Sequence, residues 1–360
     1  MLEFLSQISI DLILFIAKVV IILGSVGILI KNVLSGQSSD EGSELKITHL
    51  NETYKKQKID ITHALLTPEM RKYAEKQNAR DEKSELKAKK KKAKQDIKAN
   101  KKSPTQTSAD SPNLQQTPQK SRLFVLNFKG DIQASAVESL RKEITAILQV
   151  AGKDDEVLLK LNNSGGYVHT HGLAASQLTR ITDAGYKLTI AIDQVAASGG
   201  YMMACVGQKI IAAPFAIIGS IGVVAQVPNV HRLLKKHDID VELHTAGQFK
   251  RTLTMLGENT EEGRQKFVED LHKTHDLFQN FVKAQRATLN VEEVATGETW
   301  YGSSALEIGL VDEVKTSDEY IMQSLDHYEV FSLEFERKKK MGERALSLVH
   351  NLLGGRLPEM

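Results

Sequence analysis

The sequence predicts an α/β fold of largely parallel strands, set behind an apolar N-terminal segment and a lysine-rich spacer. Three observations predict it. From residue 122 onward, short apolar runs alternate with stretches of helical period, the pattern of strand–helix units feeding a parallel sheet. Two Gly-Gly loops, NNSGGYV (162–168) and AASGGYM (196–202), follow such runs, at the strand ends where α/β sheets bind ligands. Composition also shifts abruptly near residues 36 and 121, from apolar to lysine-dominated and then to globular.

Residues 12–30, LILFIAKVVIILGSVGILI, carry one charge, Lys18. That length suffices to cross a hydrocarbon core of about 30 Å, and the cost of a mid-span lysine, about 2.5–3.5 kcal/mol, is offset by the surrounding Leu and Ile. Glu3 and Asp11 stand where a cleaved signal would carry basic residues, so residues 1–35 read as an uncleaved transmembrane anchor. Residues 36–121 read as a Lys-rich spacer, helical or disordered, peaking at KAKKKKAKQDIKANKK (87–102). A helix is expected to begin at Thr67-Pro68-Glu69, with a capping hydroxyl, proline at the first helical position and an acid after it. Lysines of this kind form a solvated face or meet anionic lipid headgroups. No aromatic residues interleave with them, which argues against nucleic acid as a partner.

The domain proper is expected over 122–325. RLFVLNF (122–128), VLLKLN (157–162), KLTIAID (187–193), KIIAA (209–213), IGVVAQV (221–227) and DVELHT (240–245) read as strands. Helices are expected near 134–151, with Val137, Leu140, Ile144 and Leu148 on one face, at 172–181, and at 261–289. Residues 326–360 read as a tail in which RKKK (337–340) and ALSLVHNLL form either a basic amphipathic helix on a membrane or an ordinary packed terminal helix. One cysteine, Cys205, excludes an intrachain disulfide and argues against a structural zinc site. A net charge of +2 excludes the whole chain as a polyanion binder.

The chemistry centres on Ser198. An alcohol is a poor nucleophile unless a base lies within hydrogen-bond reach. A helix starting at SGGYMMACV turns backbone N–H groups toward developing negative charge, and Gly199 lets one approach without a Cβ in the way. The loop at Gly165 and Gly166 offers a second oxyanion donor. For the base, His169 and His171 with Asp193 compete with Lys250, since a lysine serves if burial or a like charge such as Arg251 lowers its pKa. No G-x-S-x-G elbow surrounds Ser198 or Ser220.

ASGGY at Ser198, GSIGV at Ser220, HTAGQFKRTLTMLGENTEEGR around Lys250 and WYGSSALEIGLVDEV (300–314) resemble the signal-peptide-peptidase A family of serine–lysine membrane proteases, most closely its SohB branch. The resemblance implies a ClpP/crotonase-like spiral of ββα units. It implies Ser198 as nucleophile, Lys250 as general base, Ser220 orienting the lysine, and an oxyanion hole from Gly199 with Gly166 or Gly165. The histidines then lose the base's role. The family's loop carries a proline where this chain has Ser164, which leaves the hole less preorganised. Ring- or dome-shaped homo-oligomers, with sites often completed across subunits, are implied, with eight copies the expectation for one catalytic domain and four the alternative.

The reading is a membrane-anchored serine endopeptidase of the bacterial inner membrane. It would cleave signal peptides and unfolded segments through an acyl-enzyme, with no metal or organic cofactor. No HExxH and no phosphate-binding loop occur, so ATP-driven unfolding is not encoded here. The side of the membrane stays open. Most lysines lie beyond the roughly 15–20 residues that set orientation, while the resemblance argues for a periplasmic catalytic domain. The rival readings are a catalytically silent membrane-tethered scaffold that binds peptides, supported by Ser164, and a crotonase-like acyl-CoA enzyme, which has no need of the Ser198/Lys250 pair.

Overall fold

A computed structural model describes residues 43–100 and 120–337. The apolar segment at 12–30 and the ALSLVHNLL stretch lie outside them. Among the described residues no helix is long and apolar enough to cross a membrane. Leu45–Phe335 forms one compact unit.

The elements are β1 (Ser43–His49), α1 (Leu50–Ala64), α2 (Pro68–Asn100), β2 (Arg122–Lys129), α3 (Val137–Val150), β3 (Glu156–Asn162), α4 (Val168–Asp183), β4 (Lys187–Ile192), β5 (Val195–Ala197), α5 (Gly199–Ala204), β6 (Lys209–Ala212), β7 (Ile217–Gly219), α6 (His231–Lys236), α7 (Glu261–Gln285), α8 (Val291–Val294), β8 (Thr299–Tyr301), α9 (Gly302–Glu307), β9 (Glu313–Val314), α10 (Ser317–Ser324) and β10 (Glu329–Arg337). A seven-stranded sheet runs β1-β10-β2-β3-β4-β6-β9, and a three-stranded sheet runs β5-β7-β8. The pairs from β10 through β2, β3, β4 and β6 to β9 are parallel.

Both faces of the large sheet are covered, which is why its strands read as continuous apolar runs. Along β2, Phe124, Leu126 and Phe128 face one core with Leu140, Ile144, Leu178 and Met203. The alternate residues Leu123 and Val125 face the other with Leu158, Ile321 and Val330. Successive units place one strand in each sheet before a helix: β4 and β5 precede α5, and β3 gives way to an isolated parallel bridge, Asn163 with Ala196, before α4. This is the ββα arrangement that the family resemblance implied. Helix α3 buries Val137, Leu140 and Ile144 as expected, with Ile147 rather than Leu148 completing the face.

Three expectations are corrected. The domain does not end at 325: β10 pairs in parallel with β2 from Glu329↔Arg122 onward and buries Val330 and Leu333. Nor does it begin at 122. Strand β1 joins the sheet, and Asn51 at the start of α1 donates to Leu325 O and Tyr328 O and accepts from Val330 N at 2.7 Å. His49 lies 2.6 Å from Glu329 and stacks on Phe331. The spacer is therefore shorter than 36–121, and α2 starts at Pro68 as read.

Residues 221–227 and 240–245 are not strands. Neither segment pairs with a strand of either sheet. Val224 stays 91% exposed and Leu243 52%.

Glu143 on α3 is 3% exposed and accepts from Phe335 N at 2.8 Å. Burial pushes its carboxyl up to about 7, Glu334 adding to the rise and the Phe335 N–H opposing it. A carboxyl raised on folding lets stability fall as pH rises from its unfolded value toward its folded one, and the loss is constant above. We therefore expect Glu143→Gln, which keeps an acceptor for Phe335, to raise the urea midpoint at pH 8, a gain on the order of 3 kcal/mol, and to leave it unchanged at pH 4. An equal gain at both pH values would count against a titrating Glu143.

Candidate active site

Ser198 closes β5 and caps α5 with φ 52° and ψ −121°. That region disfavours any residue with a Cβ, and holding one there costs on the order of 1–3 kcal/mol. The surroundings enforce it. Ser198 N donates to Gly219 O at 2.8 Å, and Met202 N donates back to Ser198 O at 3.0 Å. The apolar run that follows is buried throughout Gly199–Ala204, so the turn is anchored on a short helix inside the core.

The Gly-Gly loop after β3 lies directly against this turn. A Cβ on Gly165, which has φ +93°, would sit 2.8 Å from the Ser198 Cβ and 2.9 Å from Gly199 N. A Cβ on Gly166 would meet Ile132 O at 2.2 Å, and Tyr167 N donates to that same carbonyl. Gly165 N is engaged, donating to Asn163 Oδ1 at 2.9 Å. Among the described residues nothing accepts from the amides of Gly166 or Gly199. Of the two loop donors left open by the sequence, Gly166 is thus the one with its N–H unspent.

Ser220 mirrors Ser198. It follows β7, has the same φ of 52°, and donates its N–H to Glu298 O at 2.6 Å. Because β5 and β7 pair in parallel with Ala197 opposite Gly219, the two serines leave adjacent strand ends side by side. A small cleft opens beside Ser198, lined by Gly166, Val168, Gly199, Met202, Gly222, Val223, Thr274 and Phe278. It is mainly apolar and has no carboxylate, imidazole or amine in its lining.

Lys250 is not among the lining residues. It is exposed in the loop between α6 and α7 and forms no ion pair among the described residues. That loop is tied to the start of α7: Gln248 bonds Glu262, Phe249 lies beneath the Lys266 ammonium, and Asn229 donates to Thr254 O and Gly257 O. Within one chain Ser198, Gly166 and Gly199 share one cleft, Gly165 lies against Ser198 and Ser220 stands at the neighbouring strand end, while Lys250 is outside the lining of that cleft.

The histidine alternatives do not assemble a triad. His169 is exposed and stacks on Tyr167. His171 is fully buried, its nitrogens 3.0 Å from Tyr167 O and 3.2 Å from Asn163 Oδ1. Asp193 accepts from both the N–H and hydroxyl of Ser317. Cys205 offers no second nucleophile: it is completely buried, and burial pushes its thiol up.

Sequence reasoning undervalued Asn163 and His171. The signal for His171 was its spacing from Ala174, Ala175 and Leu178, which share its buried face of α4.

The sequence has relatives of known class. Residues 7–178 match the N-terminal region of peptidase family S49, and residues 180–330 match peptidase family S49 itself. A probable protease SohB from Haemophilus influenzae is 55% identical over 239 residues, covering 64% of this chain and 68% of that one. A probable protease SohB from Buchnera aphidicola subsp. Schizaphis graminum is 46% identical over 339 residues, covering 93% and 92%. Among solved structures, a mutant of the 1510-N membrane-bound stomatin-specific protease in complex with a substrate peptide overlaps 64% of this chain and 99% of its own, at 15% identity and a TM-score of 0.38. With both parts of the family pattern in order along the chain and close relatives matched over most of their length, this protein belongs to peptidase family S49.

Proposed function

We infer that the protein is a serine endopeptidase in which Ser198 attacks the peptide carbonyl and Lys250 is the base. The observation that carries this is the turn at Ser198, held in a glycine-like conformation with the unspent amides of Gly166 and Gly199 beside it. Backbone donors preorganised around a developing oxyanion are a large part of acyl-transfer catalysis. The chain's own atoms do the rest of the work. Ser198 forms the acyl-enzyme, its proton passes to the lysine amine and on to the leaving amine, and water attacks the ester with the amine again as base. Ser220, at the neighbouring strand end, orients the ammonium. The cleft lined by Val168, Met202, Val223 and Phe278 suits a small apolar side chain next to the scissile bond, as in signal-peptide-like or unfolded segments.

The base comes from a second copy. Lys250 lies outside the Ser198 cleft, and its segment exposes Val224, Leu233, Ile239, Leu243, Met255 and Leu256, apolar side chains that a neighbouring copy would take out of water. A homo-oligomeric ring, with each arm reaching the next subunit, buries that surface and completes the site. The apolar stretch at 12–30 tethers the assembly to the bilayer. Against the scaffold reading, which rests on Ser164, stands the hold of the Asn163 side chain on the Gly165 amide of the same loop.

The test uses full-length protein in mild detergent with unfolded casein. Ser198→Ala and Lys250→Ala each abolish cleavage. Dissociated, mixed in equal amounts and reassembled, the two inactive variants recover about a quarter of the unmutated rate, the chance that a site draws its serine and its lysine from intact copies in a cyclic assembly. Recovery of nothing would place both groups in one chain, and undiminished cleavage by Ser198→Ala would remove the assignment of the nucleophile. The strain at position 198 gives a separate expectation. Ser198→Gly, equally inactive, unfolds at a higher temperature than Ser198→Ala, by about 1 kcal/mol of stability, because only glycine is relaxed at that φ; equal melting temperatures would argue against a strained turn.

A further inference from the structure

Behind the two unspent amides lies a pair of buried side chains that the reaction itself does not use. Asn163 and His171 are 1% and 0% exposed. Asn163 Oδ1 accepts the Gly165 N–H and lies 3.2 Å from His171 Nε2. A carbonyl oxygen only accepts, so the second contact is a hydrogen bond when Nε2 carries its proton. The orientation of the amide is set at its other end, where Nδ2 donates to Met203 Sδ at 3.3 Å. Turned over, it would present a donor to the Gly165 N–H. With the proton on Nε2, Nδ1 of the neutral ring is an acceptor, and the Thr170 hydroxyl, 3.4 Å away, is the donor within its reach. The ring also lies against the nucleophile turn, since a Cβ on Gly199 would sit 2.5 Å from His171 Cγ.

One imidazole therefore touches both segments that supply the oxyanion donors, directly at Gly199 and through Asn163 at Gly165. We propose that His171 and Asn163 are positioning residues that fix the Gly165–Gly166 peptide, so that the Gly166 and Gly199 amides converge on the carbonyl oxygen of the substrate. The inference rests on the protease reading above and adds a role for His171 distinct from that of a base. It also explains how the loop keeps its shape with Ser164 exposed at its tip. A proline there would fix φ from within the backbone; here two buried side chains hold the loop from beneath.

His171→Phe keeps a ring against Gly199 and removes the Nε2–H, and Asn163→Ala removes the acceptor for Gly165. Each is made in the full-length protein in detergent. Kinetics are followed on an internally quenched peptide taken from a casein sequence that the unmutated protein cleaves. Loss of an oxyanion donor costs roughly 10²–10³ in kcat, so misaiming one is expected to lower kcat by about 10- to 100-fold with KM nearly unchanged. Ser164→Pro added to either variant recovers about tenfold, which a merely structural defect elsewhere would not allow. Amide hydrogen exchange in the 162–168 peptide, read by mass spectrometry, accelerates in both variants and slows again with the proline.

Unchanged kcat, a rise in KM alone, or a loss of activity that Ser164→Pro does not restore would overturn the proposal. So would exchange in 162–168 that neither substitution alters. Failure of the protease reading looks different: cleavage persists in Ser198→Ala, while exchange in the same peptide still decides whether the pair holds the loop.

Discussion

The arrangement of the site depends on two backbone hydrogen bonds made by Asn163. Its N–H donates to Val195 O at 2.9 Å, and its carbonyl accepts from Ala197 N at 3.1 Å. This is the point at which the chain leaves the large sheet at the end of β3 and touches β5 of the small one. A buried peptide group must be paired, and here the pairing fuses the two sheets. The loop that begins at Asn163 is thereby set against the turn that ends β5. The closeness is strict: a Cβ on Gly200 would lie 2.0 Å from Asn163 O. The second glycine of ASGGY is thus a packing requirement of the sheet junction, while the first leaves Gly199 N open to a ligand.

That junction also accounts for the strain. Ser198 and Ser220 share a positive φ at the ends of adjacent parallel strands, and each is held by its own N–H donated to a carbonyl across the small sheet. Gly219, the last residue of β7, lies so close to Trp300 that a Cβ would approach the indole to 2.7 Å. Strained residues persist where surrounding structure over-determines them. Here the over-determination comes from a core of buried small and apolar residues, Ala196, Ala204, Ala212 and Ile218 among them.

How much of this was legible follows from the range of the interactions. Strands β2, β3 and β4 were read correctly because burial on both faces writes itself into consecutive apolar residues. The start of α5 was read from a strand followed by Ser-Gly-Gly. The ends of the domain were not, because β10 meets β2 across some two hundred residues of chain and the basic run beyond it suggested a tail. Asn51 alone carries three hydrogen bonds to the last helix and strand, yet nothing local marks it as a clamp. IGVVAQV is a short apolar run and DVELHT alternates as a strand does, but neither pattern says whether a neighbouring strand is there to pair with. Gly165 and Gly166 were equivalent in sequence. They separate once the Asn163 side chain is seen to consume one amide.

On the proposed assignment, the contrast between the sheet junction and the exposed arm that carries Lys250 links assembly to chemistry. Apart from α6, residues 223–258 have no regular structure, and most of their apolar side chains lie in water. A serine without a base is close to inert, and the Ser198 cleft of a single chain contains none. On the proposed assignment, a lone subunit is therefore a resting form whose nucleophile turn is fully built and whose base is elsewhere. The arm that carries Lys250 is also the segment with the most apolar surface to gain from a neighbour. Hydrophobic burial between copies, worth roughly 25 cal/mol per Å², and delivery of the amine to the serine are then one event. On that assignment the hydrolase is silent until neighbouring copies close around its sites.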